Sequence, residues 1–461
     1  MTVAELDLGF SPDVGPRVPK LRGYPVVGLL PKIHRDPLRF FVRTVRDYDD
    51  VVELDLGPNK ALMINNPAYI KHILQDNQPN YHKSKFYDTL APILGGGIFM
   101  AEGQQWQYLR QTATPSFNGC QLKQMIAQMT DATAETLARW QVPARRGEPV
   151  NIVPEMMWLT LDIVLRTLLS VRLHGEHRGI YHALATLLRD AERRVWALAA
   201  PPRWLPTAQN RRCRAAHRVI DGFVQKIVAD RRADDRDHAD LLQVLVDTLS
   251  DPAMDGLSKT VLYDQVRSFI LAGHETTANA LSWTWIALSR HPDVARKVKA
   301  EVDDVLQGRT PTFEDIKKLT YTKMVFDEAL RLYPPVWTMS RTAQADDQVG
   351  DLAIPKGTNV MLSPYAVHRH AAYWPNPEGF DPERFTPEAV KSRPRFAYFP
   401  FLGGTRNCLG SRFAGLEAVI IMAMVMQRFG LALVPGQDIR PEPMITLRPR
   451  GDVFMRLGEA A

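Results

Sequence analysis

The sequence predicts a mainly α-helical chain with small β elements near its start and in its last third. Three observations predict it. Apolar residues recur at helical spacing over most of the stretch up to about Tyr333. Short β-like runs are confined to "VVELDLG" and "KALMINN" near the start and to "DLAIPKGTNVMLSP" later. Pro and Gly cluster at the borders of these regions.

Taken in order, "GPRVPKLRGYPVVGLLP" is too rich in Pro and Gly for a helix and reads as an extended, turning segment. Gly57-Pro58 separates the first two β runs in the manner of a hairpin. Val142 to Val150 and Asp230 to Asp240 read as short loops between helices. The second lies in the mixed-sign run "DRRADDRDHAD", expected to be solvated. Pro334-Pro335 stops a helix. A last long helix is expected from about Leu409 to Gln427. No repeat, low-complexity tract or linker divides the 461 residues, so residues 1–461 are expected to form one domain.

Composition narrows the function classes. Cys120, Cys213 and Cys408 are the only cysteines and lie far apart, which favours a reducing compartment over a disulfide framework. Glu5 and Asp7 stand where a signal peptide would be apolar. The longest apolar stretch, Ala418 to Met426, falls well short of the ~20 residues a bilayer requires. A cytoplasmic protein with no membrane span is expected. The net charge is +6, but no basic stripe interleaved with aromatics accompanies it, so no nucleic-acid partner is expected.

Two segments carry chemistry. In "FLGGTRNCLG", a lone Cys408 would by itself be an inert thiol. Its setting changes that reading. Gly403, Gly404 and Gly410 limit bulk around the sulfur, so backbone N–H groups and a flat cofactor can approach. The helix expected after it aims a positive dipole end at the sulfur, Phe401 can shield it from water, and Arg406 can pair with an anionic group. In "FILAGHETTANAL", the acid Glu275 and the hydroxyls of Thr276 and Thr277 interrupt an apolar helical stretch. A zinc-protease reading of His274-Glu275 fails, because Ala278 stands where the second His is needed. A hydroxyl bonding back to the preceding turn is the plain structural alternative for the threonines.

The cysteine loop resembles the haem-binding signature of the cytochrome P-450 family at Phe401, Gly404, Arg406, Cys408 and Gly410. It departs at Leu402, where the family usually has a small or polar residue. "AGHETT" resembles the family's oxygen-binding motif. By that resemblance Ala272 and Gly273 leave room for dioxygen, Thr276 hydrogen-bonds it, and Glu275 connects to a proton supply. Glu328-x-x-Arg331 with Arg384 of "PERF" resembles the family's structural ion-pair triad, and Trp106, Arg110 and Arg341 match its propionate contacts. The resemblance runs along the whole chain, in family order. It implies a mainly α P-450 fold with small β-sheets, one haem b buried between two long helices, and Cys408 as axial ligand to the haem iron.

The implied activity is a monooxygenase inserting one atom of O2 into an apolar substrate. A peroxide-driven oxygenase is an alternative, disfavoured by the Glu275-Thr276 pair. A haem-based gas sensor is another; it needs no proton relay and would need a signalling domain. No flavin, nicotinamide or iron–sulfur signature follows Gly410, so electrons should come from a ferredoxin or flavodoxin with its NAD(P)H-dependent reductase. Lys391, Arg393, Arg395 and Arg412 flank the loop and could steer an acidic donor. By family position the pocket draws on Phe269, Val336, Trp337, Met339, Ile445, Val195-Trp196 and the segment after Tyr87. Their apolarity implies a terpenoid, steroid or fatty-acyl substrate. "LPTAQNRR" (Leu205 to Arg212) resembles bacterial members that oxidise sesquiterpenoids, whereas Arg193, Arg194 and Arg203 keep a carboxylate-bearing substrate open. A monomer is expected.

Overall fold

The computed structural model describes residues 18–48, 50–172, 178–196, 201–236, 238–249 and 260–459. Glu5, Asp7 and the start of the Pro-rich segment lie outside the described residues, as do the side chains of Val195 and Trp196. The chain packs as two compact units. The first takes the described part of Met1–Thr89 with Val336–Gly379 and Pro387–Cys408. The second takes the described parts of Leu90–Pro335 and Leu409–Ala461 with Phe380–Thr386.

The first unit is built on a six-stranded sheet. Numbered along the chain, its strands are β1 (Lys20–Leu21), β2 (Val51–Leu56), β3 (Asn59–Ile64), β4 (Tyr81–Lys83), β6 (Met339–Ala343) and β9 (Asn359–Leu362), in the order β1-β2-β3-β9-β6-β4. Asp347–Val349 (β7) and Leu352–Ile354 (β8) form a separate hairpin, and Val150–Asn151 (β5) belongs to the second unit. The Gly57-Pro58 turn joins β2 to β3 antiparallel, with Leu56 opposite Asn59. Gly57 is required there: its φ is +82°, and a Cβ would lie 2.5 Å from the Val26 carbonyl oxygen. Leu62, Ile64, Met339, Val360 and Leu362 cover one core with Ile73, Leu74, Phe396 and Phe399. That core underlies the segment leading to Cys408.

The second unit is helical, with a small sheet of β5, β10 (Phe429–Leu433) and β13 (Phe454–Glu459) and a hairpin of β11 (Pro441–Pro443) and β12 (Leu447–Pro449). Its centre is the helix Thr260–Arg290, hereafter the long helix. It is buried on nearly all sides over its second half, including both Trp283 and Trp285, as a helix at the middle of a bundle must be. Ile152–Leu169 packs along it, and the helices Thr320–Leu332 and Ser411–Met426 pack on it and on each other. Thr320–Leu332 ends just before Pro334-Pro335, and the C-terminal helix Ser411–Met426 lies within two residues of the expected span. Among the described residues no helix is long and apolar enough to cross a membrane.

Two loop expectations are corrected. Gly119–Arg146 is one helix that runs through Val142 and Pro143 and ends at Gly147, whose φ is +65°. Pro143 removes one bond to the turn before it, but the residue that loses its partner, Arg139, is exposed, so water replaces the donor. The run at Asp230 to Asp240 is not simply solvated. The helix Ala208–Ala233 extends into it, and Arg231 is buried, donating to Asp240 at 2.7 Å and to the Leu169 carbonyl at 3.0 Å. Mixed charge there includes a buried, satisfied pair, which charge alternation alone does not distinguish from a wet surface.

Candidate active site

The cysteine loop hangs from an aromatic anchor in the first unit. His368 is fully buried and accepts the Phe399 N–H at Nε2, 3.0 Å away. Trp374 donates to the Ala397 carbonyl at 3.2 Å, and the Arg393 guanidinium stacks 3.9 Å above the Trp374 ring. Beyond this anchor the Leu402 N–H bonds Phe399 and the Cys408 N–H bonds Phe401 at 2.9 Å, closing the loop. Its glycines are fixed by their own surroundings. A Cβ on Gly403 would lie 2.2 Å from the Phe396 ring. Gly404 has φ +66°, and a Cβ would lie 1.9 Å from the Leu74 carbonyl oxygen. Loop packing alone therefore demands both glycines, before any cofactor is considered. Leu402, where the family pattern is broken, has φ +61°, a conformation that costs a non-glycine residue about 1–2 kcal/mol. Its side chain offsets part of that cost by packing on the core of the unit.

Cys408 is exposed at the end of this loop, with Phe401 and Arg406 half-buried beside it in sequence. Arg341, on β6, is buried, donates to the Ser340 carbonyl at 2.9 Å, and lies 6.0 Å from the Tyr87 ring centre. One soft, ionisable sulfur and two permanent cations within this unit form a donor set that fits a haem iron and its two propionates.

The second unit carries the other motifs. On the long helix Ala272 is exposed while Leu271, His274 and Glu275 are buried, so one small residue opens a gap in an otherwise covered helix. Gly273 points elsewhere: a Cβ would lie 2.7 Å from Val164, so its smallness serves the close approach of the helix Ile152–Leu169. The half-buried Thr276 donates to the Ala272 carbonyl at 2.9 Å. A hydroxyl has one proton, so in this position Thr276 presents only acceptor lone pairs to a partner. Buried His274 hydrogen-bonds Ile270, and burial pushes its pKa down to about 4, which keeps it neutral. Among the described residues no His, Cys, Asp and Glu cluster could hold a metal ion.

Glu275 is buried and accepts a 2.7 Å hydrogen bond from Thr446. Burial raises its pKa, against the pull of that hydroxyl and of the Arg448 charge. A second buried acid was not singled out in the sequence. Glu417, on the C-terminal helix, is fully buried, and neither carboxyl oxygen has a hydrogen bond of normal geometry among the described residues. Burial drives its pKa well above the ordinary carboxyl range, against a pull from the Thr277 hydroxyl. It sits inside "GLEAVIIM", where nothing local marks it.

Glu328 and Arg331 are both fully buried and meet through two bonds, Nε to Oε2 at 2.7 Å and Nη2 to Oε1 at 2.8 Å. The Asp381 N–H bonds the same carboxylate at 2.8 Å, and Arg384 Nε lies 3.5 Å from it. Trp106 and Arg110 share the helix Gly103–Ala113, both half-buried. Trp106 packs beside Leu109 and Val261. Gly95, Gly96 and Gly97 pack against the long helix, with the Gly96 N–H bonded to Asp264 at 2.8 Å.

The expected pocket residues separate into two groups. Val336 and Ile445 are half-buried and accessible. Phe269, Trp337 and Met339 are buried by protein: Phe269 stacks on Phe117, Trp337 packs against Phe41, and Met339 lies in the sheet core of the first unit. Packing accounts for those three side chains.

The model of the family described as Cytochrome P450 matches residues 16–454. Cyclooctatin synthase of Streptomyces melanosporofaciens is 34% identical over 428 residues, 92% of each chain. Cyclooctat-9-en-7-ol 5-monooxygenase of the same organism is 33% identical over 416 residues, 90% of this chain and 89% of that one. A crystal structure of the cytochrome P450DA heme domain superposes with a TM-score of 0.86 at 25% identity, covering 97% of this chain and 98% of that one. The fold, the cysteine loop and these matches define a haem-dependent, cysteine-ligated class of oxygenase. The chain belongs to the cytochrome P450 family, and it is a monooxygenase that binds haem.

Proposed function

We propose that this enzyme hydroxylates an apolar terpenoid, using haem b held by Cys408 and electrons from a ferredoxin or flavodoxin with its NAD(P)H-dependent reductase. The observation that carries the proposal is the exposed Cys408 at the end of a loop whose glycines are packed in place. The overall change is R–H plus O2 plus two electrons and two protons, giving R–OH and water. Bound haem supplies the activation of dioxygen. Cys408 is its thiolate ligand, shielded by Phe401, and no second cysteine stands nearby for covalent attachment, which favours the b type. Arg341, Arg406, Arg110 and Trp106 hold the propionates. Ala272 provides room beside Gly273, Thr276 orients a proton donor through its free lone pairs, and Glu275 supplies protons. Glu328, Arg331 and Arg384 hold the framework.

Residues 1–461 act as one catalytic domain, a monomer in the cytoplasm. Three widely spaced cysteines suit that compartment. Lys391, Arg393, Arg395 and Arg412 steer the acidic electron donor.

The terpenoid class rests on the relatives and on charge. Two of the relatives, cyclooctatin synthase and cyclooctat-9-en-7-ol 5-monooxygenase, carry the terpenoid reading. Of the three arginines that could receive a substrate carboxylate, two are paired with an acid: Arg194 with Asp190 and also Asn210, and Arg203 with Asp190 at 3.5 Å; Arg193 meets the neutral Gln209 at 3.4 Å. Asn210 of "LPTAQNRR" is itself buried, bonding the Pro202 and Leu205 carbonyls, so that segment shapes a loop. A terpene hydrocarbon should therefore shift the haem spin state with a Kd at least about tenfold below that of its carboxylic acid or a long-chain fatty acid. A preference for small hydrophilic or cationic ligands would overturn the apolar pocket.

Thr276→Ala should bind haem and substrate normally but lower product formed per reductant by about tenfold or more, with peroxide released instead. Unchanged coupling would reduce Thr276 to its bond with Ala272.

A further inference from the structure

We propose that Thr446 is a positioning residue for Glu275, a hydroxyl clamp that fixes the acid's orientation for proton delivery. The proposal rests on the reading of Glu275 as the proton-supplying acid and deepens it.

The observations lie within the second unit. Glu275 and Asn279 are one turn apart on the long helix and project to the same side. Between them sits the Thr446 hydroxyl, at the tip joining β11 to β12. It accepts from Asn279 Nδ2 at 3.0 Å and donates to Glu275 Oε1 at 2.7 Å. With Glu275 ionised the chain runs one way: an amide nitrogen can only donate and a carboxylate can only accept, so the hydroxyl's single proton goes to the carboxylate. All three residues are buried, Asn279 completely. Asn279 Oδ1 has no hydrogen-bond partner among the described residues, so this asparagine is held by its bond to Thr446 alone on the side-chain side.

The tip itself is tied down. The Met444 N–H bonds the Glu442 and Thr446 carbonyls, and the Leu447 N–H bonds the Pro335 carbonyl at 2.9 Å. Thr446 is buried while its neighbour Ile445 is accessible, so one short tip holds the acid on one side and presents an apolar side chain on the other. The charged and titratable groups around Glu275 are few. Arg448 on β12 favours its ionised form and is itself bonded to Glu442 at 3.0 Å. Tyr181, on the helix Arg178–Trp196, feels both Glu275 and Arg448. His274, adjacent on the long helix, is neutral.

A donor to a carboxylate stabilises the ionised form, so removing it must raise the acid's pKa further. Infrared difference spectra of the holoprotein across a pH titration read this directly. The protonated-carboxyl band that disappears in Glu275→Gln belongs to Glu275, which separates it from other buried acids whose pKa burial raises, such as Glu417 and Glu328. In Thr446→Val the midpoint of that band should rise by about one pH unit or more, and Thr446→Ser should return it to the wild-type value. Thr446→Val should also lower product formed per reductant, leaving haem content and substrate-induced spin shift unchanged. Should the valine variant lose haem, Asn279→Leu removes the support from the other side and must move the same midpoint. An unmoved midpoint in a haem-loaded Thr446→Val overturns the clamp. If instead the midpoint moves but Glu275→Gln retains full coupling, the clamp stands and the proton-supply role of Glu275 falls.

Discussion

Arg331→Ala is expected to leave little soluble holoprotein. The substitution strands the Glu328 carboxylate, which is fully buried and now takes two bonds from Arg331, one from the Asp381 N–H and an ion pair from Arg384. Breaking a buried pair by removing one partner costs about 3–5 kcal/mol. Domains are stable by only about 5–15 kcal/mol, so much of the margin disappears. Glu328→Ala should be as damaging, because it leaves two arginines facing one another. Arg331→Lys should fall between, since an ammonium keeps the charge but loses the two-pronged geometry. The yield of soluble protein and the haem-to-protein ratio measure this. Wild-type yield from Arg331→Ala would mean that the triad is dispensable.

Cys408→Ser is expected to abolish monooxygenation while leaving the fold intact. The loop bonds at this position come from the backbone, with the Cys408 N–H held by the Phe401 carbonyl, and the exposed side chain is not part of a core. Circular dichroism and the thermal midpoint should therefore change little. A serine hydroxyl is not ionised near neutral pH and supplies neither the soft ligand nor the electron push of a thiolate. Product formation with reductant and electron donor should fall to the limit of detection. Activity persisting in a folded serine variant would remove Cys408 from the chemistry.

The features legible in the sequence are those encoded within ten or so residues. The hairpin turn at Gly57, the helix stop at Pro334, the Glu328–Arg331 spacing and the cysteine loop are all local patterns, and each has a place in the structure. The rest depends on contacts between distant segments. Thr446 and Glu275 are 171 residues apart, and nothing near either predicts their bond. His368 is 31 residues from the Phe399 N–H it accepts, and it looks like any lone histidine until that bond is seen. Glu417 lies in an apolar helix where an acid reads as a surface position, yet that helix is covered on all sides there. Trp337 and Met339 show the converse limit. Apolar residues near an expected pocket and apolar residues of a core have the same sequence signature, and only packing separates them.

Thiolate ligation by Cys408 is read out by the carbon monoxide difference spectrum of the reduced wild-type protein. A neutral nitrogen or oxygen ligand and an anionic sulfur perturb the haem very differently. A strongly red-shifted Soret band is expected in the wild type and absent in Cys408→Ser. A wild-type band at the unshifted position of a nitrogen-ligated haem, or a red-shifted band surviving in the serine variant, would contradict that ligation.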